Sequence, residues 1–479
     1  MGKNKKNILI LFLFLFTISF MLSAQIKGVP VVKLFEKEYY KYDVKPKETI
    51  FSICKRFNIS EAELLSMNPF ISNDGLQAGQ TLMIPVKKAN ASDKKERVSN
   101  NNDSVKLVKE KDKPKKIIIT SVDKPRITVF LPFAPTETPG VNDRYIEFYE
   151  GFLLAVDSLR NLGLSFEVQA LESGDGTEII KNAILTGKLA KTDYCIGGIN
   201  QGQITLLADW AKENKKTLIL PFTSHVPELE SNPFLYQTNS PHNYMFDLLS
   251  GYSVNHFGKS SNIIFLNSAS DGSDINSKLL PQIKSKLKKA NKSYVEVKYD
   301  GVLDNLFKVL VDNRENIILP SPVSLNETSR LVTRLSAYAK QYPHRKITLL
   351  GYPEWQAMNK TYQKKLYELN TYIYSNFYAN NQEQNVRNFQ IHFNQTFGKN
   401  LLNTYPKYGM IGYDVATYFI PRSVFEESEN LKNIPKIDPL QNEYQFGDKK
   451  NSSGVFNKII YIIHYTPGNT VETKTLYGH

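Results

Sequence analysis

Hydrophobic and polar positions change rhythm several times along the chain. Around residues 39–44 the tyrosines flanking Val44 alternate with polar residues, which predicts a short strand. Ile50, Ile53, Cys54 and Phe57 then recur at the i, i+3, i+4, i+7 spacing of an amphipathic helix. Ser60 with Glu63 three residues on is a capping box that opens a second short helix, with Leu64 and Leu65 inward. Asn68-Pro69 closes it, Gly79 turns the chain, and Thr81 to Pro85 reads as a final strand. The first pattern is thus a small β-α-α-β unit.

From Arg126 the rhythm is different. Ile127 to Leu131 is a continuous apolar run, as expected of a strand covered on both faces. A helix follows, with Tyr145, Phe148, Tyr149, Phe152, Ala155, Val156 and Leu159 on one side. Further runs at 166–171, 195–197, 217–220, 262–266, 316–319 and 347–350 predict strands. Helical patterns at 203–214, 276–290 and 324–341 lie between them. Such alternation predicts an α/β architecture of parallel sheets. Some 350 residues favour two doubly wound lobes over one overextended sheet. The tail, with strands at 458–465 and 470–475 about the turn Pro467-Gly468-Asn469, reads as a closing hairpin.

Composition adds the compartment. Lys3, Lys5 and Lys6 precede an apolar run from Ile8 to Leu22, and Leu22-Ser23-Ala24 offers a cut after Ala24, the pattern of a secretory signal over residues 1–24. No other stretch is long enough to span a bilayer. The formal charge of +13 suggests nucleic acid until it is located: three lysines belong to the signal, and residues 87–116 hold eleven basic against five acidic residues. That basic, asparagine-rich stretch reads as a solvated linker over 87–124, leaving the folded part nearly balanced. No nucleic-acid partner is implied. The two cysteines, Cys54 and Cys195, fall in different regions and read as small buried hydrophobes rather than a disulfide.

The N-terminal pattern, carried by Tyr42-Asp43-Val44, Thr49-Ile50-Phe51-Ser52-Ile53, Asn68-Pro69, Leu76-Gln77-Ala78-Gly79 and Ile84-Pro85, resembles the LysM family over residues 39–86. The resemblance implies binding to the N-acetylglucosamine backbone of peptidoglycan or chitin. It implies a groove formed by Glu48, Thr49, Ile50 and Phe51 with Asn68, Pro69, Ile71 and Leu76. Two positions depart from the family: Lys47 replaces the usual glycine in a turn where φ > 0 is favoured, and Phe51 stands where tryptophan is frequent. A lone module of this size implies micromolar to millimolar affinity, about −8 to −4 kcal/mol.

A second resemblance rests on Leu131-Pro132-Phe133, the helix Gly151 to Asp157, Cys195-Ile196-Gly197-Gly198, Pro221-Phe222-Thr223-Ser224 and Gly412-Tyr413-Asp414-Val415-Ala416. These resemble the type I periplasmic binding proteins, two doubly wound lobes hinged by crossing strands, here assigned to residues 125–479. In that architecture ligands lie where loops at the carboxyl ends of strands face each other across the lobes. The resemblance implies a cleft including Asn200, Gln201, Thr223, Ser224, Asn239, Ser268, Tyr413 and Asp414. Thr223 and Ser224 would serve a carboxylate and Asp414 an ammonium. Ile199-Asn200-Gln201 lacks the serine expected of an amino-acid binder.

Scattered histidines, no HExxH spacing and glycine turns without a phosphate-loop lysine argue against an enzyme, and no metal or cofactor is implied. Two readings remain. One is an exported, peptidoglycan-binding protein of the periplasm or cell envelope whose lobes close on a small polar, amino-acid-like ligand for uptake or sensing. The alternative is a non-catalytic scaffold or regulator of peptidoglycan synthesis with a degenerate cleft, docking an envelope protein.

Overall fold

The computed structural model describes residues 29, 31–34, 37–68, 76, 81–86, 124–134, 140–258, 261–268, 274–425, 434–448 and 452–478. The expected signal and most of the expected linker lie outside them. Two compact units are formed.

In the N-terminal unit β1 (Val31–Leu34), β2 (Lys37–Asp43) and β3 (Thr81–Pro85) make an antiparallel sheet with β2 central, and α1 (Ile50–Phe57) and α2 (Glu61–Met67) lie between β2 and β3 in sequence. Strand β1 is an addition to the expected β-α-α-β order. Ile53, Cys54, Phe57, Leu64, Leu82 and Ile84 are buried together with Tyr40 and Tyr42, so the helical stripe faces the sheet as its spacing requires. Both helices open on reciprocal capping boxes, Thr49 with Ser52 and Ser60 with Glu63.

In chain order the rest comprises β4 (Arg126–Leu131), α3 (Asp143–Asn161), β5 (Glu167–Glu172), α4 (Glu178–Leu185), β6 (Tyr194–Gly197), α5 (Gln201–Asn214), β7 (Thr217–Leu220), β8 (Leu235–Gln237), α6 (His242–Phe257), β9 (Asn262–Ser268), α7 (Leu279–Lys289), β10 (Val295–Tyr299), α8 (Asp304–Val309), β11 (Asn316–Pro320), α9 (Leu325–Gln341), β12 (Ile347–Gly351), α10 (Lys360–Glu368), β13 (Thr371–Ser375), α11 (Gln384–Phe397), α12 (Tyr408–Phe425), β14 (Val455–Phe456), β15 (Ile460–Tyr465) and β16 (Val471–Leu476). Lobe one is an all-parallel sheet in the order β14-β8-β7-β6-β4-β5. Lobe two runs β10-β9-β11-β12-β13-β15-β16, parallel as far as β13 and antiparallel through the closing hairpin. The central strands β6, β7, β11 and β12 are buried almost throughout, and separate cores fill the two lobes, one in lobe two and two in lobe one.

Two helices of lobe one pack unusually closely. An added Cβ on Gly151 of α3 would meet the Gly409 carbonyl oxygen at 1.8 Å, and one on Gly412 of α12 would meet the Phe148 carbonyl oxygen at 1.9 Å. Glycines therefore set the approach of α3 and α12. Beside them Glu147, almost fully buried, accepts the Gly409 amide at 3.0 Å and the Leu402 amide.

The chain crosses between lobes after β8, after β13 and before β15, and these crossings are stitched together. Ser240 donates to the carbonyls of Asn457 (2.7 Å) and Ile459 (3.3 Å). The Tyr378 amide donates to Gln441 O at 3.0 Å. Asp414, buried within α12, accepts the amides of Leu440, Gln441 and Asn442 at 2.7, 2.9 and 2.8 Å.

Candidate functional site

In the N-terminal unit the turn Lys45–Glu48 leads into α1. Lys47 adopts φ 69°, the left-handed conformation that its replacement of a glycine foretold. The turn is braced by Glu48, which accepts the Lys45 amide at 2.9 Å and the Tyr42 hydroxyl at 2.7 Å and pairs with Arg56 at 2.6 Å. Burial acts to raise the Glu48 carboxyl, but these donors and the Arg56 charge outweigh it and hold the group below the usual range. Glu48 is thus a brace for the turn that enters α1, and its oxygens are already engaged.

Thr49 is the N-cap of α1, accepting the Ser52 amide, and Ile50 is half-buried beneath it. Phe51 is the outstanding surface feature, with 76% of its area exposed two residues past the cap. A large apolar ring so exposed packs little on the described residues of its unit, and a ring of this kind can stack on a sugar face. Asn68 is fully buried and donates to Leu64 O at 2.9 Å, closing α2 rather than facing outward. Leu76 is half-buried against the same core, while Pro69 and Ile71 lie outside the described residues.

In the large unit the carboxyl-end loops of lobe one brace one another. Glu172 accepts the amides of Phe133 (2.8 Å), Ala134 and Gly174 (both 2.7 Å). Asn200 caps α5, accepting the Gln203 amide at 3.0 Å and donating to Asp175 O at 2.7 Å. Gln201 donates to Glu228 at 2.8 Å, and Thr223 closes a local turn with His225 at 3.0 Å. These side chains shape the rim, and their polar atoms are largely satisfied within it. Phe222, just before Thr223, packs among Tyr145, Phe148 and Tyr408 with ring centroids 5.2, 5.0 and 6.1 Å away.

Asp414 departs from its expected place. It lies inside α12 rather than in a loop, fully enclosed, with both oxygens taken by the three amides described above, and it belongs to the packing of the crossings. Burial, partly opposed by those amides, pushes its carboxyl up to about 7. Tyr413 beside it is half-buried in the lobe-one core, its hydroxyl raised to about 12 by burial. Neither residue lines the inter-lobe cavity described next.

A cavity of about 850 Å³ opens where the lobes meet. Lobe one contributes Ser224 and His225 after β7, and Phe456 of β14. Lobe two contributes His242 and Tyr244 from the first turn of α6, and Lys278 and Gln282 at the start of α7. Ser224 alone of the eight expected cleft residues lies on its wall. Two others keep buried oxygens that find no partner among the described residues, Asn239 Oδ1 and Ser268 Oγ, and so does the Nδ1 of His242.

One residue escaped the sequence reading. Glu354 follows β12 at the carboxyl end of a lobe-two strand, in the short 3-10 turn Pro353–Ala357. It is partly buried, and burial, with Asp274 nearby, lifts its carboxyl to about 7. A desolvated carboxylate at a strand's carboxyl end is a binding-site signature. The Tyr352-Pro353-Glu354 signal after a strongly apolar run was available in the sequence.

A family model described as LysM domain matches residues 42–85. No curated protein matches the sequence. Among solved structures, a candidate branched-chain amino acid ABC transporter from Rhodospirillum rubrum is similar with a TM-score of 0.54 at 9% identity, covering 74% of this chain and 100% of its own. An ABC-type branched-chain amino acid transporter from Rhodopseudomonas palustris gives 0.48 at 13% identity, covering 74% and 96%. An ABC transporter substrate-binding protein from Desulfitobacterium hafniense in complex with leucine gives 0.43 at 14%, covering 74% and 100%. The chain carries a LysM domain, and its large unit has the two-lobed fold of the type I periplasmic binding proteins. At these identities the likeness is one of fold and assigns no ligand.

Proposed function

We propose that the protein is an exported, non-catalytic receptor held at the peptidoglycan by its LysM domain, whose two lobes enclose a small polar ligand for uptake or sensing. The observation that carries the second half is the inter-lobe cavity of about 850 Å³, a size suited to a small molecule, lined by Ser224, His225, His242, Lys278 and Gln282 among others. Glu354, at the carboxyl end of a strand and only partly buried, is a better candidate for the ammonium partner that the resemblance implied for Asp414, although it is not among the residues lining the cavity. An ammonium there would find a carboxylate already desolvated. The first half is supported by the family match over residues 42–85 and by the exposed Phe51 beside the Thr49 cap. The lysine-rich residues 87–124 would act as a tether that leaves the lobes free to search the wall. Both features favour a periplasmic or envelope location. Among the described residues no helix is long and apolar enough to cross a membrane.

The packed ring cluster around Phe222 favours a second reading, an envelope scaffold, because that part of the rim offers aromatic faces where a hydroxyl would hold a ligand. Native mass spectrometry of the mature chain separates the two. A co-purifying small molecule supports the receptor, whereas an unliganded mass together with a stoichiometric envelope-protein complex supports the scaffold. Retention on purified sacculi tests the tether, and it fails if a Thr49→Arg, Ile50→Asp variant is retained equally.

A further inference from the structure

Strand β16 ends the lobe-two sheet, and among the described residues β15 is its only strand neighbour. The turn before it fixes which of its backbone groups are used. The Thr466 amide donates to Thr470 O at 2.9 Å and the Asn469 amide to Thr466 O at 3.0 Å, with Asn469 at φ 58°. Residues 466 and 470 therefore form a hydrogen-bonded pair that closes a three-residue hairpin loop. Bonded and non-bonded pairs alternate from there along the register His464↔Glu472, Ile463↔Thr473, Ile462↔Lys474. Glu472, Lys474 and Leu476 thus bond to β15, whereas the amides and carbonyls of Val471, Thr473 and Thr475 point out of the sheet. Residues 472–475 are exposed. Past the strand the Gly478 amide donates to the Tyr244 hydroxyl at 2.6 Å, so the edge is fixed at both ends and open between them.

Its side chains are self-complementary. Glu472 lies 3.4 Å from His464, and Lys474 stands over the Tyr252 ring at 5.5 Å, so both charges occupy the face towards α6. In an antiparallel pair of such strands centred on Thr473, each Glu472 falls directly opposite Lys474 of the other copy. The same centre sets outward residues against outward residues, Thr473 against Thr473 and Val471 against Thr475, each pair exchanging both of its backbone bonds. Centring on Glu472 or Lys474 would oppose like charges, and a centre between two residues would set outward groups against inward ones. Charged residues on an edge commonly keep strands apart. A guard of one sign repels a second copy, whereas alternating signs at this spacing attract it. The opposite edge, β10, repeats the spacing at Glu296 and Lys298, but there Lys284 (2.7 Å) and Asn267 (2.9 Å) already hold the acid.

We propose that β16 is a self-docking edge, through which two copies of this chain join antiparallel about a two-fold axis at Thr473 and make the two lobe-two sheets continuous. This goes beyond the receptor reading and holds whether or not a ligand enters between the lobes. A single edge strand covers less surface than the roughly 1,600 Å² of a standard interface, so the dimer should be weak and concentration-dependent. Its Glu472–Lys474 pairs are solvent-exposed, so rising salt should loosen it. Each dimer would carry two N-terminal units, and linking two weak modules raises the effective concentration of the second at a polymeric wall.

The test is sedimentation velocity of the full mature chain from about 10 to 500 μM, a range suited to a weak interface. It compares the native chain with Glu472→Lys, Lys474→Glu and an equimolar mixture of these two variants. The native chain should form a dimer that dissociates on dilution. Either variant alone opposes like charges and should associate at least ten-fold more weakly. In the mixture every cross-strand pair is again of opposite sign, so the dimer should return. Both positions are exposed, and unchanged melting curves establish that the variants are folded. A native chain that stays monomeric across the range, a dimer indifferent to both variants, or a mixture that stays apart overturns the assignment. None of these results touches ligand capture by the lobes, which the co-purified mass decides.

Discussion

The contact between α3 and α12 allows the most quantitative test. In Gly412→Ala the new methyl would lie 1.9 Å from Phe148 O, 2.8 Å from its carbonyl carbon and 2.9 Å from Phe152 N, all of them backbone atoms of a 19-residue helix. Contacts below 3.0 Å are essentially absent for real Cβ atoms, so the helices must separate by more than an ångström at this point. Overpacking a tight core usually costs about 1–3 kcal/mol. Because backbone cannot rotate away as a side chain would, the cost here should reach the top of that range, about 3 kcal/mol. Gly151→Ala, 1.8 Å from Gly409 O, should behave alike. Once either methyl has spread the helices, the other finds space already made, so the double variant should cost clearly less than the two single costs combined. Urea unfolding followed by tryptophan fluorescence is a suitable assay, since Trp210 reports on lobe one and Trp355 on lobe two, both buried. An unchanged midpoint in Gly412→Ala, or strictly additive costs in the pair, would refute the close-packing argument.

Three further outcomes are expected. Asp414 has a folded pKa of about 7, above its ordinary 3.8, so the folded state keeps a proton that the unfolded chain releases; the group's contribution to stability should decline as pH rises across that window, and Asp414→Asn should flatten this slope in melts at pH 5 to 8 while leaving ligand affinity unchanged. Lys47→Gly removes a non-glycine residue from φ 69° and should stabilise the N-terminal unit by up to about 1 kcal/mol, read by denaturant unfolding of that unit's tyrosine signal; a loss of stability would contradict it. Phe51→Ala leaves the core untouched and should lower retention on sacculi several-fold with an unaltered melting curve; full retention would remove the ring from the glycan groove.

Much of the architecture was legible because buried parallel strands announce themselves as apolar runs. The strands near 127–131, 217–220, 316–319 and 347–350 were expected within a residue of their observed limits. The unanticipated strands β1, β8, β10, β13 and β14 have other habits. β8 and β14 are only three and two residues long, and β10 is a sheet-edge strand with Glu296 and Lys298 exposed. Segments as short as β8 and β14, or as half-solvated as β10, present no run to detect; β13, though largely buried, is a short mixed stretch, Thr371-Tyr372-Ile373-Tyr374-Ser375. The helix expected over 276–290 begins as the 3-10 turn Ile275–Lys278, a distinction that apolar spacing does not encode.

The site was less legible. Gly412-Tyr413-Asp414 has the look of a ligand loop, but its glycine makes room for α3 and its acid holds the crossings. Asn200 and Glu48 likewise carry the expected chemistry and use it on their own backbone. A sequence shows which polar atoms exist, whereas only the fold shows which are still free. His242 and Glu354 became visible through tertiary placement, one at the start of a helix beside a cavity, the other desolvated after a strand.

The stitching of the crossings has a mechanical consequence. Asp414 ties residues 440–442 rigidly to α12, Gln441 ties Tyr378 to them, and Ser240 ties the first crossing to the last. All three connecting strands are thereby anchored to the frame of lobe one, with no slack on that side. Any swing of the opposite half would have to flex where the anchorage ends, near Pro241, Tyr378 and Ile459–Ile460, the first of them one residue from His242.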